Sequence, residues 1–250
     1  MEQVPIIAFA TSKGGSGKTT SCILVAGEIA ARGERVLILD TDPQQSVVKW
    51  FERCRAANRL PERIEVVSCL GEAALADRLK ALPVDGFVFI DVQGILSPVM
   101  AIVAARANVV VVPSRASQLD LEEALPFVQY TAHFRSSGVR VFLNEVEGIA
   151  RTTQVFKDAV AYLQDNKIPY FRTILQQRPM FRAITNDKGM LATLDADPES
   201  VRKARANVFG LMTEILDLLS PPPQQPVTVQ TDKGATDPRT QETVLAAEAV

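Results

Sequence analysis

The stretch Ile6-Ile7-Ala8-Phe9-Ala10-Thr11-Ser12-Lys13-Gly14-Gly15-Ser16-Gly17-Lys18-Thr19-Thr20 decides the fold. Ile6–Ala10 is an unbroken apolar run of strand length, and the glycine-rich segment behind it ends on Gly17-Lys18-Thr19, where a helix should begin. Strand, glycine loop and helix N-terminus in that order make a phosphate-binding loop. Without Cβ atoms at Gly14, Gly15 and Gly17, the successive backbone N–H groups of the loop, that of Ser16 included, can close on phosphate oxygens. The following helix adds its partial positive end. Lys18 supplies an ammonium for the β- and γ-phosphates, and the Thr19 hydroxyl, with Thr20 beside it in the same turn, is set to ligate Mg²⁺. ATP with Mg²⁺ is the expected ligand. In the ordinary loop a glycine stands six residues before this lysine, a position that Ser12 occupies, and Lys13 opens the loop instead. A second lysine would crowd a site Lys18 already serves, so Lys13 makes better sense reaching a nucleotide in a second subunit.

Outward from this loop, short apolar runs alternate with helix-like segments. Strands are expected at Ile6–Ala10, Val36–Leu39, Ile64–Val67, Phe87–Ile90, Val109–Val112 and Val139–Leu143. They are continuously apolar rather than alternating, as strands buried on both faces of a parallel sheet are. Helices are expected near 18–31, 46–57, 71–81, 97–106, 118–136 and 152–164, with Gly33 and Gly138 at C-caps, and further ones near 179–188 and 198–219. The pattern predicts an α/β fold, a doubly wound and mostly parallel sheet flanked by helices, occupying about residues 1–219. Ser220-Pro221-Pro222-Pro223 then breaks the pattern, and residues 220–250 read as a disordered, proline-containing tail.

Three carboxylates should converge on the carboxyl edge of the sheet, where ligands of such folds bind. Asp40 and Asp42 end the second strand, and Asp91 ends the run Phe87-Val88-Phe89-Ile90 as a Walker B acid reaching Mg²⁺ through water. Any one of them could instead cap a helix. Asn144, also at a strand end, is a candidate for contact with adenine.

Together these residues resemble the deviant-Walker ATPases of the ParA/MinD group. The resemblance rests on Lys13–Thr20 (KGGSGKTT), on Leu39–Gln44 (LDTDPQ) and on Phe87–Gly94 (FVFIDVQG), and it covers roughly residues 5–215. It implies ATP-dependent face-to-face dimerisation with Lys13 acting in trans. It also implies slow hydrolysis in which Asp42 positions the attacking water and Asp40 supports the Mg²⁺ site. The Asp42-Pro43-Gln44 signature favours the ParA branch, whose members bind DNA nonspecifically in the ATP state. Pro113–Leu125, Arg178–Ile184 and Lys188–Leu191 are similar to a smaller conjugation-linked subgroup that includes the ATPase assisting T-DNA processing. Val92-Gln93-Gly94 departs from the switch of many ParA proteins, and no helix-turn-helix precedes the first strand.

Composition narrows the partners. Apolar residues at 47% with 22% charged are ordinary for a globular chain, and a net charge of −2 gives no overall case for nucleic acid. The distribution is uneven, however: residues 1–150 carry 15 Lys/Arg against 17 Asp/Glu, whereas 151–206 carry 10 against 6. A sequence-independent DNA-phosphate patch is therefore expected from Arg178, Arg182, Arg202, Lys203 and Arg205, unless these are solvated helix faces. The resemblance implies three partners: nonspecific DNA, a second copy of the chain in the ATP state, and a centromere-binding or relaxosome protein that stimulates hydrolysis.

Other classes fare less well. Residues 241–250 contain no Lys, Arg or aromatic, which argues against a membrane-surface helix, and no apolar run is long enough to span a bilayer. The start of the chain reads as a strand rather than a signal peptide, so a cytoplasmic location is expected, and the resemblance implies association with the nucleoid. Cys22, Cys54 and Cys69 have no metal or cluster spacing and read as free thiols. No tyrosine follows Tyr170, which argues against a tyrosine kinase of this fold. A ParA-like ATPase that positions a protein cargo would share the whole site and stays open as the alternative.

Overall fold

The computed structural model describes residues 4–60, 62–93, 98–134, 138–148 and 152–220. Six strands, β1 (Ile6–Phe9), β2 (Val36–Asp40), β3 (Ile64–Ser68), β4 (Phe87–Asp91), β5 (Val109–Arg115) and β6 (Val139–Asn144), form one all-parallel sheet in the order β3-β2-β4-β1-β5-β6. The helices are α1 (Lys18–Ala30), α2 (Ser46–Ala56), α3 (Gly71–Lys80), α4 (Pro98–Arg106), α5 (Gln118–Ala132), α6 (Gln154–Asp165), α7 (Pro179–Ala183) and α8 (Pro198–Leu219).

Side chains of successive strand residues point to opposite faces, and both faces here are covered. In β1, Ile6 and Ala8 enter one apolar layer with α3–α6, while Ile7 and Phe9 enter the other with α1, α2, α7 and α8. β2, β4 and β5 divide the same way, with Leu37, Val88 and Val110 on the first side and Ile38, Phe89 and Val111 on the second. This is why these strands are continuously apolar. Phe9 and Phe89 stack across the β1–β4 pair at 6.2 Å between ring centroids, and truncating either to alanine should cost roughly 3–5 kcal/mol. β3, at the sheet edge, is the exception: Glu65 and Ser68 are exposed and Val66 and Val67 half-buried. At the other edge, β6 is flanked by the segment 170–177, through Phe171 N–H to the Val141 carbonyl (2.8 Å) and Leu175 N–H to the Leu143 carbonyl (3.0 Å). α8 fixes that segment, because Glu214 accepts the N–H groups of Arg172 and Thr173 and Asn207 accepts that of Gln176.

Two expectations about local structure are corrected. Gly138 is not a helix cap, since α5 stops at Ala132 and Gly138 leads directly into β6. A Cβ there would lie 2.3 Å from the Asn108 carbonyl oxygen, so the position is glycine because β5 and β6 begin in close backbone contact. The helix expected over 179–188 is a short α7 that widens into a π-helical turn, Ile184–Lys188. The Trp50 indole N–H of α2 donates to the Ile184 carbonyl at its start, at 2.9 Å. The tail expected over 220–250 lies outside the described residues beyond Ser220, as does Gly94 of the segment after Asp91.

Candidate functional site

The sheet order puts β1 between β4 and β5, so the loops leaving these strands part at the carboxyl edge and open a crevice. The loop from Thr11 to Gly17 crosses that crevice and ends on α1. Gly17 stands at the helix N-cap with φ 93°, and a Cβ on it would meet the Asn144 amide at 2.1 Å, so no other residue fits. No side chain caps α1 and no acidic residue stands in its first turn, which leaves its N–H groups and partial positive charge facing the crevice.

The loop's carbonyls are held both within the loop and from the ends of β5 and β6. The Lys13 carbonyl accepts the Lys18 ammonium at 3.1 Å and the Ser16 hydroxyl at 3.3 Å. The Gly15 carbonyl accepts from the Arg115 guanidinium at 3.3 Å, and the Ser16 carbonyl accepts from the Asn144 side-chain amide at 2.8 Å. In a trans peptide the N–H points opposite to the C=O, so carbonyls tied away from the crevice leave N–H groups turned toward it. The resulting cleft has a volume of about 630 Å³ and is lined by Gly14, Gly15, Gly17, Lys18, Thr19 and Thr20 on the loop side. Asp42, Pro43, Gln44, Ser46, Gln93 and Glu145 complete its walls.

The acidic residues divide between two tasks. Asp91 is 2% exposed; one carboxylate oxygen accepts the Thr19 hydroxyl at 2.7 Å, and the other is buried with no hydrogen-bond partner among the described residues. Burial pushes its pKa up to about 7, with the Thr19 hydrogen bond and nearby Lys18 pulling it down and Asp40 and Asp42 adding to the rise. A buried, half-satisfied carboxylate beside a threonine hydroxyl fits a divalent cation, which would supply the missing partner. Burial also lowers the Lys18 pKa, against the pull of Asp91 and Asp42. Asp40, by contrast, is fully committed to backbone: it accepts from Asp42 N–H at 3.1 Å and from Val47 and Val48 N–H at 3.0 and 3.2 Å. Its carboxylate thus shapes the 41–46 turn and holds the first turn of α2. Asp42 itself is half-buried, accepts the Gln44 N–H at 2.8 Å, and faces the cleft.

Residues 4–218 match the family model described as VirC1 protein. The chain belongs to the VirC1 family. A protein named ParA from Rhizobium radiobacter is 33% identical over 225 residues, covering 85% of this chain and 100% of that relative. Protein virC1 from the same organism is 25% identical, covering 84% and 80%. Among solved structures, a plasmid partition protein from Borrelia burgdorferi B31 bound to AMPPNP superposes with a TM-score of 0.65 at 15% identity, covering 85% of this chain and 99% of that one, which is a likeness of fold. The VirC1-family chain is thus a ParA-like member of the P-loop ATPases.

In this family member the sequence-derived site residues fall into three places. Gly14, Gly15, Gly17–Thr20 and Asp42 line the cleft, Ser16 is buried within the loop, Asp91 is buried against Thr19, and Asp40 holds the 41–46 turn. Asn144 reaches the loop rather than an open base pocket, its amide being spent on Ser16. Lys13 turns away from its own loop to α5, where its ammonium pairs with Asp120 and lies 3.3 Å from Glu123.

The five candidate DNA residues are on α8 and around α7, and two are engaged internally. Arg205 makes a bidentate pair with Glu28 at 2.9–3.2 Å, and Glu28 is 3% exposed. Arg178 is half-buried and hydrogen-bonded to Gln176. Arg182 is exposed, as are Arg202 and Lys203, which pair with Glu199 within one helical turn.

Sequence reasoning missed Arg115, Glu145 and Asp120. Arg115 and Asp120 lay within a quoted stretch of subgroup resemblance, but nothing in the chain's order links them to a loop about 100 residues earlier. Among the described residues no cluster of His, Cys, Asp and Glu suited to a metal occurs, and Cys22, Cys54 and Cys69 are buried.

Proposed function

We propose that this chain is an ATP-driven switch that binds Mg-ATP in the cleft, pairs face to face with a second copy and, in that state, holds DNA without sequence preference. Its work would lie in plasmid or chromosome partition or in conjugative DNA transfer. The observation that carries this reading is the loop itself: the Gly15 and Ser16 carbonyls held by Arg115 and Asn144, Lys18 lining the cleft, an uncapped α1 N-terminus, and a half-satisfied Asp91 beside Thr19. Bound Mg²⁺ would neutralise phosphate charge between Thr19 and Asp91. Lys18 exchanges its carbonyl partner for phosphate oxygen. Asp42, on the cleft wall, orients a water for attack and accepts its proton, giving ADP and phosphate. A single carboxylate on an open wall is a weak activator, so a partner protein triggers turnover.

Arg182, Arg202 and Lys203 are the proposed phosphate contacts, with Arg178 and Arg205 acting through the shape of that face. The test is binding to a long duplex of arbitrary sequence with no nucleotide, with ADP and with a slowly hydrolysed ATP analogue, at two salt concentrations. Analogue-dependent binding that salt weakens is expected. Analogue-dependent dimerisation without DNA binding would move the cargo to protein. That second reading is favoured by the internal engagement of Arg205 with Glu28 and of Arg178 with Gln176.

A further inference from the structure

We infer that Arg115 is a positioning residue for the phosphate-binding loop, acting with Asn144 as a two-point clasp and anchored by Glu145. This rests on the nucleotide reading above and adds to it Arg115 and Glu145, to which the sequence assigned no role in the site. Arg115 and Asn144 end β5 and β6 and are direct partners in the strand register. From these paired ends they donate to consecutive loop carbonyls, Arg115 to Gly15 and Asn144 to Ser16. The peptide groups so gripped carry the N–H groups of Ser16 and Gly17, the two that lead into α1.

Glu145 holds the other edge of the guanidinium, its carboxylate accepting Arg115 Nε at 3.0 Å. It does so from a left-handed backbone conformation, φ 53°, which a residue with a Cβ adopts at some cost. Glu145 also lines the cleft. A bare carboxylate there would repel the phosphates that Lys18 and the loop amides attract, and Arg115 offsets that charge. The pair is half open to solvent, 52% for Arg115 and 42% for Glu145, so it contributes little to folding. Its effect is therefore on ligand affinity: aiming two amides and neutralising one acid.

The experiment titrates a fluorescent ADP and a slowly hydrolysed ATP analogue into the wild-type chain, Arg115→Ala, Arg115→Lys and the double variant Arg115→Ala with Glu145→Gln. Arg115→Ala should weaken both nucleotides about tenfold, the effect of one charged hydrogen bond, while the thermal midpoint of the nucleotide-free protein stays put. Arg115→Lys should recover part of the loss through its charge, and the double variant should recover part by removing the uncompensated acid. In turnover the KM for ATP should rise while kcat stays within about twofold. Wild-type affinity in Arg115→Ala would overturn the inference, as would a loss matched by a fall in the nucleotide-free midpoint. Failure of the wild-type chain to bind either nucleotide would instead sink the nucleotide reading itself, and the first titration separates the two cases.

Discussion

The Lys13 ammonium is ion-paired within its own chain to Asp120, and the same carboxylate accepts the Ser117 hydroxyl at the N-cap of α5. Burial pushes the Asp120 pKa up, but the Lys13 and Ser117 hydrogen bonds outweigh it and hold the carboxyl below its ordinary range. If Lys13 acts on a nucleotide in a second copy, this pair must open first. Asp120→Asn should therefore favour analogue-dependent dimerisation by a few-fold, and Lys13→Ala should keep nucleotide binding while losing the dimer. Sedimentation with the analogue checks both, and a Lys13→Ala chain that still dimerises would rule out its role in trans.

Lys18→Ala should abolish nucleotide binding. Among the described residues the lysine is the one side-chain cation lining the cleft, and its removal leaves the Lys13 carbonyl with the Ser16 hydroxyl alone. Calorimetric titration with ADP is the measurement; affinity close to wild type would mean the loop amides suffice alone.

Asp42→Ala should trap the analogue-like state with ATP itself. Asp42 contributes one turn hydrogen bond, to Gln44 N–H, so its loss spares the fold while removing the carboxylate assigned to the attacking water. Light scattering over time in Mg-ATP should show a persistent dimer, and rapid return to monomer would refute the assignment.

Asp91 makes the stability of the nucleotide-free chain depend on pH. Its folded pKa of about 7 lies above the ordinary value of 3.8, so between those limits the folded state keeps a proton that the unfolded chain has released. The stabilisation is full at low pH and is lost as pH rises through about 7. Asp91→Asn should flatten that decline and raise the midpoint of the nucleotide-free protein at pH values above it, while losing the gain in ATP affinity that Mg²⁺ confers. Parallel melting curves for the two proteins across this range would expose a wrong assignment.

Arg205→Ala should read out as instability rather than as lost DNA binding. It leaves Glu28, nearly inaccessible on α1, without its counter-charge, at a cost of roughly 1–3 kcal/mol after allowance for the partly exposed arginine. Arg202→Ala with Lys203→Ala should leave the melting point in place and, on the proposed function, weaken DNA binding and its salt dependence. Chemical denaturation and filter binding on the same variants distinguish these outcomes.

Strand identity and the phosphate loop were legible because both are local. Val109–Val112 is apolar whatever surrounds it, and Gly17-Lys18-Thr19 carries its geometry in its residue types. Asp40 was legible as a strand-end acid but not in its task, since nothing in LDTDPQ says that both its oxygens would turn to the N–H groups of Asp42, Val47 and Val48. What escaped altogether depends on sheet order. Arg115 meets Gly15, and Asn144 meets Ser16, because β5 and β6 stack outward from β1 on one side. Arg205 looked like one more surface cation because its partner Glu28 lies 177 positions away. The apparent basic patch is thus partly an artefact of counting charges without their neighbours.

The hydrogen bond from Trp50 to the Ile184 carbonyl joins two stretches of chain with different duties. α2 starts four residues after Asp42 and is gripped at its first turn by Asp40, whereas the π-helical turn at Ile184 leads from Arg182 to Lys188. Any rotation of α2 that accompanies rearrangement of the 41–46 turn must drag the π turn along or break this bond. The linkage ties the helix beside the cleft to the turn between Arg182 and Lys188, whose Thr185 also packs near Thr19 and Gln44. Because Trp50 is the chain's single tryptophan, its emission gives a built-in gauge of whether that tie is intact, with no label added.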